Sequence, residues 1–404
     1  MESKSSAKRG IMMVCICFAV MFVGGYSQFQ ISPLGTQIME WLQIDKGQYS
    51  LLFTFCMFPA LVLSIICGML IDKFGAKKLI SIALVISTIG IVGRVFASTY
   101  EVMLACMLVL GLPCVMLTAT CAKIMSSYFS GAKLGSMVGI TSSGLVLGNF
   151  LAMSTTAWFP SMQSAFIFSA AVSIVVTLCW ILMVKPDDKK PAGDSAEAPA
   201  QQKISMATSL AVCLKNPYIW IGGLTLMVLM AGQVMITSFM PQALAAEKGM
   251  STQMSGIITS TYILGSFAGY AVGPMIFGKF KSKRVFLTCC AIIVSLGIAF
   301  AWKLEMVGLI AAVLFVTGAC LRLIMPLIFA MPVSLKGIGA EYAGTAGGLQ
   351  ATIQTVGATV VPSFVLTPLF GSNFTVLFIA AGVLCAVTIV TLNILPITKK
   401  DKEN

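Results

Sequence analysis

The sequence predicts an all-α membrane protein with twelve transmembrane helices in two pseudo-symmetric six-helix bundles. Hydrophobic residues make up 58% of the 404-residue chain and charged residues 10%, whereas a soluble domain carries about 25% charged residues. Apolar segments of about 20 residues, enough to cross a bilayer, recur along the whole chain. These segments do not alternate between apolar and polar residues, so we expect helices and not barrel strands.

The predicted spans form two groups of six, numbered 1 to 12 along the chain. The first group covers residues 11–38, 48–71, 79–97, 102–126, 133–156 and 162–184. The second group covers residues 217–240, 253–277, 285–302, 306–332, 342–368 and 373–396. The N-terminus resembles a signal peptide but lacks a small-residue cleavage site, so we interpret residues 11–38 as a retained span.

The distribution of Lys and Arg predicts the orientation. With the N-terminus inside, all but six of the 26 basic residues fall in cytoplasmic segments. The exceptions are Lys46, Lys248 and Lys303 in external loops and Arg94, Lys123 and Arg322 within spans. Both termini are therefore expected in the cytoplasm, with the chain in the inner (plasma) membrane of a bacterium. The net charge of +12 follows from this bias and requires no nucleic-acid partner.

One segment between the two groups has the composition of a linker. Residues 185–203, KPDDKKPAGDSAEAPAQQK, are rich in Pro, Ala and charge and are expected to be flexible. We therefore predict an N-terminal six-helix bundle over 1–184, a cytoplasmic linker over 185–215 and a C-terminal six-helix bundle over 216–404.

Several short matches suggest that the two halves are repeats. GAKLGS at 131–136 matches GAEYAGT at 339–345 with an offset of 208, and Pro33 and Pro241 share that offset. Gly148 and Gly357 differ by 209. Chance matching of glycine-rich sequence is the alternative. Parallel repeats of this kind are one transporter plan, in which the substrate lies between the halves near the midplane.

The loop between spans 2 and 3 contains GMLIDKFGAKK, residues 68–78. It resembles the loop motif of the major facilitator superfamily, G-x-x-x-D-[RK]-x-G-x-[RK]-[RK]. The matching positions are Gly68, Asp72, Lys73, Gly75, Lys77 and Lys78. The second-half stretch GPMIFGKFKSKR, residues 273–284, keeps a glycine and the basic cluster but has no Asp. With the twelve spans and the repeat, the resemblance extends over nearly the whole chain and implies alternating access.

The resemblance implies that Asp72 and the basic cluster form a gating motif that latches the outward-open state. A carboxylate in this loop can pair with the neighbouring cations or with a helix N-terminus. Positive-inside retention is the alternative explanation for Lys77 and Lys78. It does not explain Asp72.

Three basic residues lie within spans, where a charge at the bilayer centre costs about 2.5–3.5 kcal/mol. Arg94 and Lys123 lie near span ends, and we expect their side chains to extend to the interface. A role in a cytoplasmic vestibule is the alternative for Lys123. Arg322 lies about 16 Å from the cytoplasmic end of span 10, too deep to reach water. It is expected to bind an anion, and the alternative is binding to carbonyls freed by Pro326 or Pro332.

The positions of the acidic residues favour an anionic substrate. All fourteen Asp and Glu residues lie in loops or at span ends, so Arg322 has no acidic partner within a span. A planar guanidinium is suited to bind a carboxylate through two hydrogen bonds. Proton-driven carriers often use intramembrane Asp, Glu or His, and this chain has no histidine at all. Exchange of anions, or facilitated flux, is therefore favoured over proton symport.

Uncharged polar residues complete the predicted substrate site. In the resembled family, spans 1, 4, 7 and 10 line the cavity, and spans 2, 5, 8 and 11 flank it. The candidate residues are Arg322, Tyr26, Gln30, Gln233, Gln350, Gln354, Asn149 and Lys123. An interhelical hydrogen bond is the alternative role for each glutamine.

No cofactor, metal or enzymatic activity is expected. The thirteen cysteines contain no C-x-x-C pair, and nearly all of them lie in spans as small packing residues. Without histidine or paired buried carboxylates, the chain lacks the usual acid–base and metal-binding groups.

The favoured function is transport of a small organic anion, with a carboxylate preferred, by a chain expected to be a monomer. Oxalate–formate exchangers and monocarboxylate carriers are similar in having basic intramembrane residues without acidic partners. A nitrate, nitrite or cyanate porter is one alternative, because GLVLGN at 144–149 resembles the glycine-rich stretch of nitrate/nitrite porters. Their arginine pair on spans 2 and 8 is missing here. Efflux of lipophiles is another alternative, and a sensor is disfavoured because the tails and linker are short.

Overall fold

A computed structural model of the chain describes residues 2–60, 63, 76–126, 128–129, 131–184, 206–277, 282–335, 337–371 and 373–396. Every regular element within these residues is helical. Ten of the described helices are long and apolar enough to cross a membrane. The helix Thr252–Phe277 lies at predicted span 8, and residues 61–62 and 64–71 of predicted span 2 lie outside the described residues.

The helices of the first half lie at the predicted spans, with the bounds of spans 3, 5 and 6 within a few residues of prediction. Their bounds are Glu2–Phe29, Gly35–Leu42, Lys46–Thr54, Ala76–Phe96, Tyr100–Leu110, Leu112–Ser126, Gly131–Thr155 and Met162–Met183. Short 3₁₀ turns lie at Phe55–Met57 and Thr156–Trp158.

The second half begins with a short helix that the sequence analysis placed in the linker. The helical bounds are Met206–Lys215, Pro217–Lys248, Thr252–Phe277, Lys283–Phe300, Val307–Ala330, Gly339–Val360, Thr367–Phe370 and Phe374–Ile394. Ala301–Lys303 and Met331–Ser334 are 3₁₀ turns, and Val361–Leu366 is π-helical. Residues 185–205 of the predicted linker lie outside the described residues.

Polar side chains begin several of these helices at the expected positions. Asp45 accepts a hydrogen bond from Gln48 N at 2.8 Å, and the Gln48 side chain accepts from Asp45 N at 3.0 Å. Ser161 and Ser164 form the same reciprocal capping box. Such caps satisfy backbone N–H groups that the first helical turn leaves without partners.

Within the described residues, spans 1, 4 and 11 are interrupted with proline at or beside the interruption. A single helix over 11–38 is wrong for span 1, which ends at Phe29 and resumes at Gly35 after a turn that contains Pro33. Span 4 breaks at Gly111, two residues before Pro113, and the π-helical segment of span 11 contains Pro362. Proline removes a backbone donor and its ring crowds the preceding turn, so the helical ladder is disrupted there.

The chain forms two compact units. The first comprises Met1–Lys189 with Pro241–Ser260, and the second comprises Lys190–Met240 with Thr261–Asn404. The helix Pro217–Lys248 therefore contributes to both units. The domain boundaries 1–184, 185–215 and 216–404 stay a prediction.

Close helix packing in each unit requires glycine at one position of the predicted repeat. A Cβ atom at Gly148 would overlap the carbonyl oxygen of Phe22, and a Cβ atom at Gly357 would overlap that of Met227. Spans 1 and 5 in the first unit and spans 7 and 11 in the second therefore approach backbone to backbone. The same contact in both units supports the internal duplication.

Candidate functional site

Arg322 lies inside span 10 and has only weak neutral partners in the described structure. It is the sixteenth of the 24 residues in Val307–Ala330 and is half-buried. Its Nη1 donates to the Tyr270 hydroxyl oxygen at 3.3 Å and to Met325 Sδ at 3.6 Å. The guanidinium carbon lies 5.2 Å from the centre of the Tyr270 ring, a cation–π contact. Among the described residues, no carboxylate and no backbone carbonyl accepts from Arg322.

Gln354 in span 11 approaches the same methionine. Its Nε2 donates to Met325 Sδ at 3.8 Å. A thioether sulfur is a weak acceptor for either donor. Arg322 and Gln354 thus direct donors towards one place in the second unit, where a carboxylate or hydroxyl oxygen would be a stronger acceptor than sulfur.

Tyr270 and Met325 were missed by the sequence analysis. Tyr270 belongs to span 8 and is 46% exposed, and its contact with Arg322 arises from the packing of spans 8 and 10. The available signal was the spacing of Tyr262 and Tyr270, which places two phenols about two turns apart along one helix. Methionine has no sequence pattern that would distinguish this position from an ordinary packing position.

Two predicted glutamines of the second unit are buried with unpartnered polar atoms. Gln350 is fully buried against Gly222, and neither its Nε2 nor its Oε1 has a hydrogen-bond partner among the described residues. Gln233 Oε1 and the Tyr262 hydroxyl also lack partners in that part of the chain. A buried polar group without a partner costs about 1–3 kcal/mol, so these atoms are available to a polar ligand or water.

The predicted residues of the first unit have partners within the protein. Tyr26 stacks on Phe22, and its hydroxyl lies 3.4 Å from Thr155 Oγ1. The Asn149 amide, oriented to donate, reaches Leu145 O at 3.0 Å and Gly25 O at 3.2 Å. Asn149 thus makes an interhelical hydrogen bond.

Gln30 makes an interhelical hydrogen bond, which is the alternative role given above for each glutamine. It is fully buried, and its Nε2 donates to Ala165 O of span 6 at 2.7 Å. Its Oε1 accepts from Arg94 Nη2 at 3.5 Å. Because both ends of the amide are engaged, we do not retain Gln30 in the proposed site.

Arg94 corrects one expectation of the sequence analysis. Extension of its side chain to the interface is wrong, because Arg94 is fully buried within the first unit. Its Nη1 donates to Ser27 O at 2.7 Å, and its Nη2 donates to Ser169 Oγ at 3.0 Å. The position near a span end was correct, but the sequence did not show that the side chain faces spans 1 and 6.

Several predicted residues lie outside the described structure. Gly68, Asp72, Lys73 and Gly75 of the gating motif belong to the undescribed stretch 64–75, and the Lys123 side chain is likewise not described. Lys77 is half-buried and Lys78 is exposed, both in the first turn of Ala76–Phe96. The gating role of this motif stays a prediction.

Comparison with known proteins decides the family. A family model described as Major Facilitator Superfamily matches residues 14–362. The chain belongs to this superfamily. The predicted fold class is thereby confirmed, with twelve membrane helices implied by the major facilitator fold. The protein is a transport protein and not an enzyme.

Three relatives of this chain are transporters by name. The hexuronate transporter of Bacillus subtilis (strain 168) is 24% identical over 309 residues, which cover 70% of this chain and 72% of the relative. The probable galactarate/D-glucarate transporter GarP of Escherichia coli (strain K12) is 22% identical and covers 95% and 94%. The probable sulfoacetate transporter SauU of Cupriavidus necator is 22% identical and covers 89% and 87%.

Solved major facilitator structures share the fold. The nucleoside transporter NupG superposes with a TM-score of 0.75 at 14% identity, covering 96% of this chain and 98% of that one. An inward-facing, unoccupied bacterial homologue of the human lysosomal transporter Spinster gives a TM-score of 0.73 at 14% identity, covering 96% and 95%. At these identities the likeness shows the fold alone.

Proposed function

We propose that this protein is a secondary carrier that moves a small organic anion across the membrane by alternating access, and that this anion carries a carboxylate group. The observation that carries the proposal is the environment of Arg322. An arginine side chain carries a positive charge, yet the partners of Arg322 in the described structure are a phenol oxygen and a thioether. A carboxylate from solution would supply the missing negative charge.

The chemistry of the neighbouring groups fits such a ligand. A guanidinium binds a carboxylate through two parallel hydrogen bonds. The Tyr270 hydroxyl accepts from Arg322, which leaves its own proton free to donate to an anion. Gln354 Nε2 can exchange Met325 Sδ for a hydroxyl or carboxylate oxygen. Gln233 and Gln350 remain part of the proposed site through their unpartnered amide atoms.

The relatives support the substrate class. The substrates in the names of the three relatives, hexuronate, galactarate or D-glucarate, and sulfoacetate, are all organic anions. Because the identities are 22–24%, they support the class of substrate but not a particular compound.

The distribution of acids supports exchange or facilitated flux. Five acidic side chains are described, and all are exposed in loops or at span ends: Glu40, Asp45, Glu101, Glu247 and Glu305. None of these described carboxylates is placed to relay protons through a span. Coupling through an intramembrane carboxylate is therefore disfavoured.

Counterflow in proteoliposomes tests the proposal. Vesicles loaded with D-galacturonate, D-glucarate or sulfoacetate are diluted into the same labelled compound, with D-galactose as the uncharged probe. We expect saturable counterflow of at least one anion and none of galactose. Arg322→Gln should reduce it about 10- to 100-fold, since a hydrogen bond to a charged group contributes about 1.5–3 kcal/mol.

Arg9→Gln is the matched control, because Arg9 is exposed near the N-terminal end of the helix Glu2–Phe29. It should leave counterflow unchanged. Equal counterflow by wild type and Arg322→Gln would remove the anion site. Uptake that requires an imposed pH gradient and shows no counterflow would remove the exchange mechanism.

A further inference from the structure

Arg94 is the centre of a buried hydrogen-bond cluster in the first unit. The side chain is fully buried, and its guanidinium binds Ser27 O, Ser169 Oγ and Gln30 Oε1. Its Cζ lies 5.0 Å from the centre of the Phe166 ring. All these partners are neutral, and no described acidic side chain contacts Arg94. Burying a cation without a counter-ion is costly, so these contacts need an explanation.

The position of the Ser27 carbonyl oxygen explains why Arg94 is buried there. The helix of span 1 ends at Phe29, so Ser27 lies in its last turn. Carbonyls of the last turn have no intrahelical donor, and they form the negative end of the helix dipole. Arg94 supplies both a donor, at 2.7 Å from Ser27 O, and a positive charge at this end.

The chain beyond Phe29 forms a compact turn before span 1 resumes at Gly35. Its backbone hydrogen bonds join Gln30 N to Tyr26 O at 3.0 Å, Ser32 N to Phe29 O at 3.1 Å, and Gly35 N to Ser32 O at 3.2 Å. The Gln30 side chain joins this turn to Arg94 and to Ala165 O. Spans 1, 3 and 6 are thus connected at the point where span 1 is broken.

In the second half, span 7 has no break like that of span 1, and no arginine lies at the end of span 9. Span 7 remains helical from Pro217 to Lys248 although Pro241 pairs with Pro33 in the repeat. The end of span 9 carries Ala301 and Trp302, and the Trp302 ring packs on Phe378 at 6.1 Å. In this duplicated fold, the broken helix and the buried cation occur in the same half.

We propose that Arg94 is a buried cap that holds span 1 in its broken form and is thereby a positioning residue for transport. It acts through the last turn of the helix Glu2–Phe29, which carries Tyr26. The Tyr26 hydroxyl has one long contact, to Thr155 Oγ1 at 3.4 Å, and the cap fixes the backbone from which it projects.

Hydrogen–deuterium exchange of the full-length protein in nanodiscs tests the cap. In Arg94→Gln, the amides of Gln30, Ser32 and Gly35 should exchange about tenfold faster or more, because hydrogen bonds to a charged group are lost. Peptides from 232–244 in the continuous span 7 should keep their wild-type rates. Arg9→Gln, at an exposed arginine far from the turn in the helix Glu2–Phe29, should change neither region.

Two results would overturn the cap. One is wild-type exchange of the three turn amides in Arg94→Gln. The other is an equal acceleration throughout 76–96 and 162–183, which would make Arg94 a general packing residue. If the Arg94→Gln protein does not accumulate in cells, the same exchange measurement on Arg94→Lys tests the cap instead. Its single ammonium replaces the planar pair of Nη donors that bind Ser27 O and Ser169 Oγ, so the same amides should exchange faster than in wild type.

A transport measurement separates positioning from stability, and this arm rests on the proposed function. In D-galacturonate counterflow, Arg94→Gln should raise KM at least threefold more than it lowers the maximal rate, and Arg94→Lys should restore part of the affinity. An unchanged KM with a proportional loss of active protein would contradict positioning. If the wild type does not move D-galacturonate, the proposed function loses that substrate, whereas the exchange result still decides the cap.

Discussion

The two described arginines within spans are surrounded differently, and the difference assigns them different roles. Arg94 is fully buried and binds a carbonyl, an amide and a hydroxyl of its own unit. Arg322 is half-buried and touches Tyr270 and Met325. Sequence position gives the distance of each arginine from a span end. It does not give the face of the helix or the neighbours on that face, so the role of Arg94 could not be predicted.

Gln350 allows the unpartnered groups to be tested at a single residue. Replacing it with Met, of similar volume, removes two buried polar atoms that lack partners in the described structure. We expect Gln350→Met to raise the free energy of unfolding by about 1–3 kcal/mol, because the cost of burying those atoms disappears. Counterflow of organic anions should weaken in the same variant. Intrinsic fluorescence during thermal unfolding measures the stability.

Gln354→Met is the control for that substitution. Gln354 is half-buried and its Nε2 already has Met325 Sδ as a partner, so its replacement should not raise the unfolding temperature. A lower unfolding temperature in Gln350→Met than in wild type would show that the amide has partners in the membrane and would remove Gln350 from the proposed site.

At the scale of the helices, the sequence predicted most spans and few of their irregularities. Long apolar segments must become helices in a bilayer, so spans such as Met162–Met183 and Phe374–Ile394 lie within one or two residues of prediction. The break after Phe29 and the π-helical segment at Pro362 were missed. Pro241 remains inside a helix, which shows that tertiary contacts, and not proline alone, decide where a span breaks.

The helix Gly131–Thr155 contains its own control for close packing. A Cβ atom at Gly148 would overlap Phe22 O, whereas a Cβ atom at Gly139 has no neighbour within 4 Å. Gly148→Ala should lower the free energy of unfolding by about 1–3 kcal/mol, the usual cost of overpacking. Gly139→Ala should be neutral or stabilising by up to about 1 kcal/mol through helix propensity. Equal unfolding temperatures for the two variants would contradict the backbone contact between spans 1 and 5.

At the scale of the whole molecule, the lack of histidine predicts a weak pH dependence of transport near neutral pH. The chain has no histidine, and the acids that the structure describes are exposed. Sulfoacetate counterflow should therefore change less than about twofold between pH 6 and 8, a range far above the usual carboxyl pKa of about 4. Initial rates with equal pH on both sides of the vesicle measure this.

A change of the transport rate at alkaline pH is expected to come from Lys46. Burial lowers the pKa of Lys46, the first residue of the helix Lys46–Thr54, from its usual value of 10.5, while nearby Glu247 opposes that shift. Rising pH therefore removes the Lys46 charge earlier than that of an exposed lysine. A steep dependence between pH 6 and 7 that persists in Lys46→Gln would contradict a transport path without a titrating group.

The family and the fold class could be predicted from sequence because composition, spacing and the 68–78 motif are local properties of the chain. The candidate site could be predicted in part. A charge in an apolar segment identifies Arg322, but Tyr270, Met325 and the partners of Arg94 depend on which helices touch. Those contacts are set by packing between residues far apart in sequence, such as the 52 positions that separate Tyr270 from Arg322.

The paired glycine contacts also bear on how the two halves have diverged. Gly148 meets a carbonyl that belongs to a phenylalanine, and Gly357 meets one that belongs to a methionine. A carbonyl oxygen is common to every residue, so the partner helix is free to mutate while the glycine is not. If the two halves arose by duplication, glycines of this kind should be retained in both halves even where the surrounding side chains have diverged.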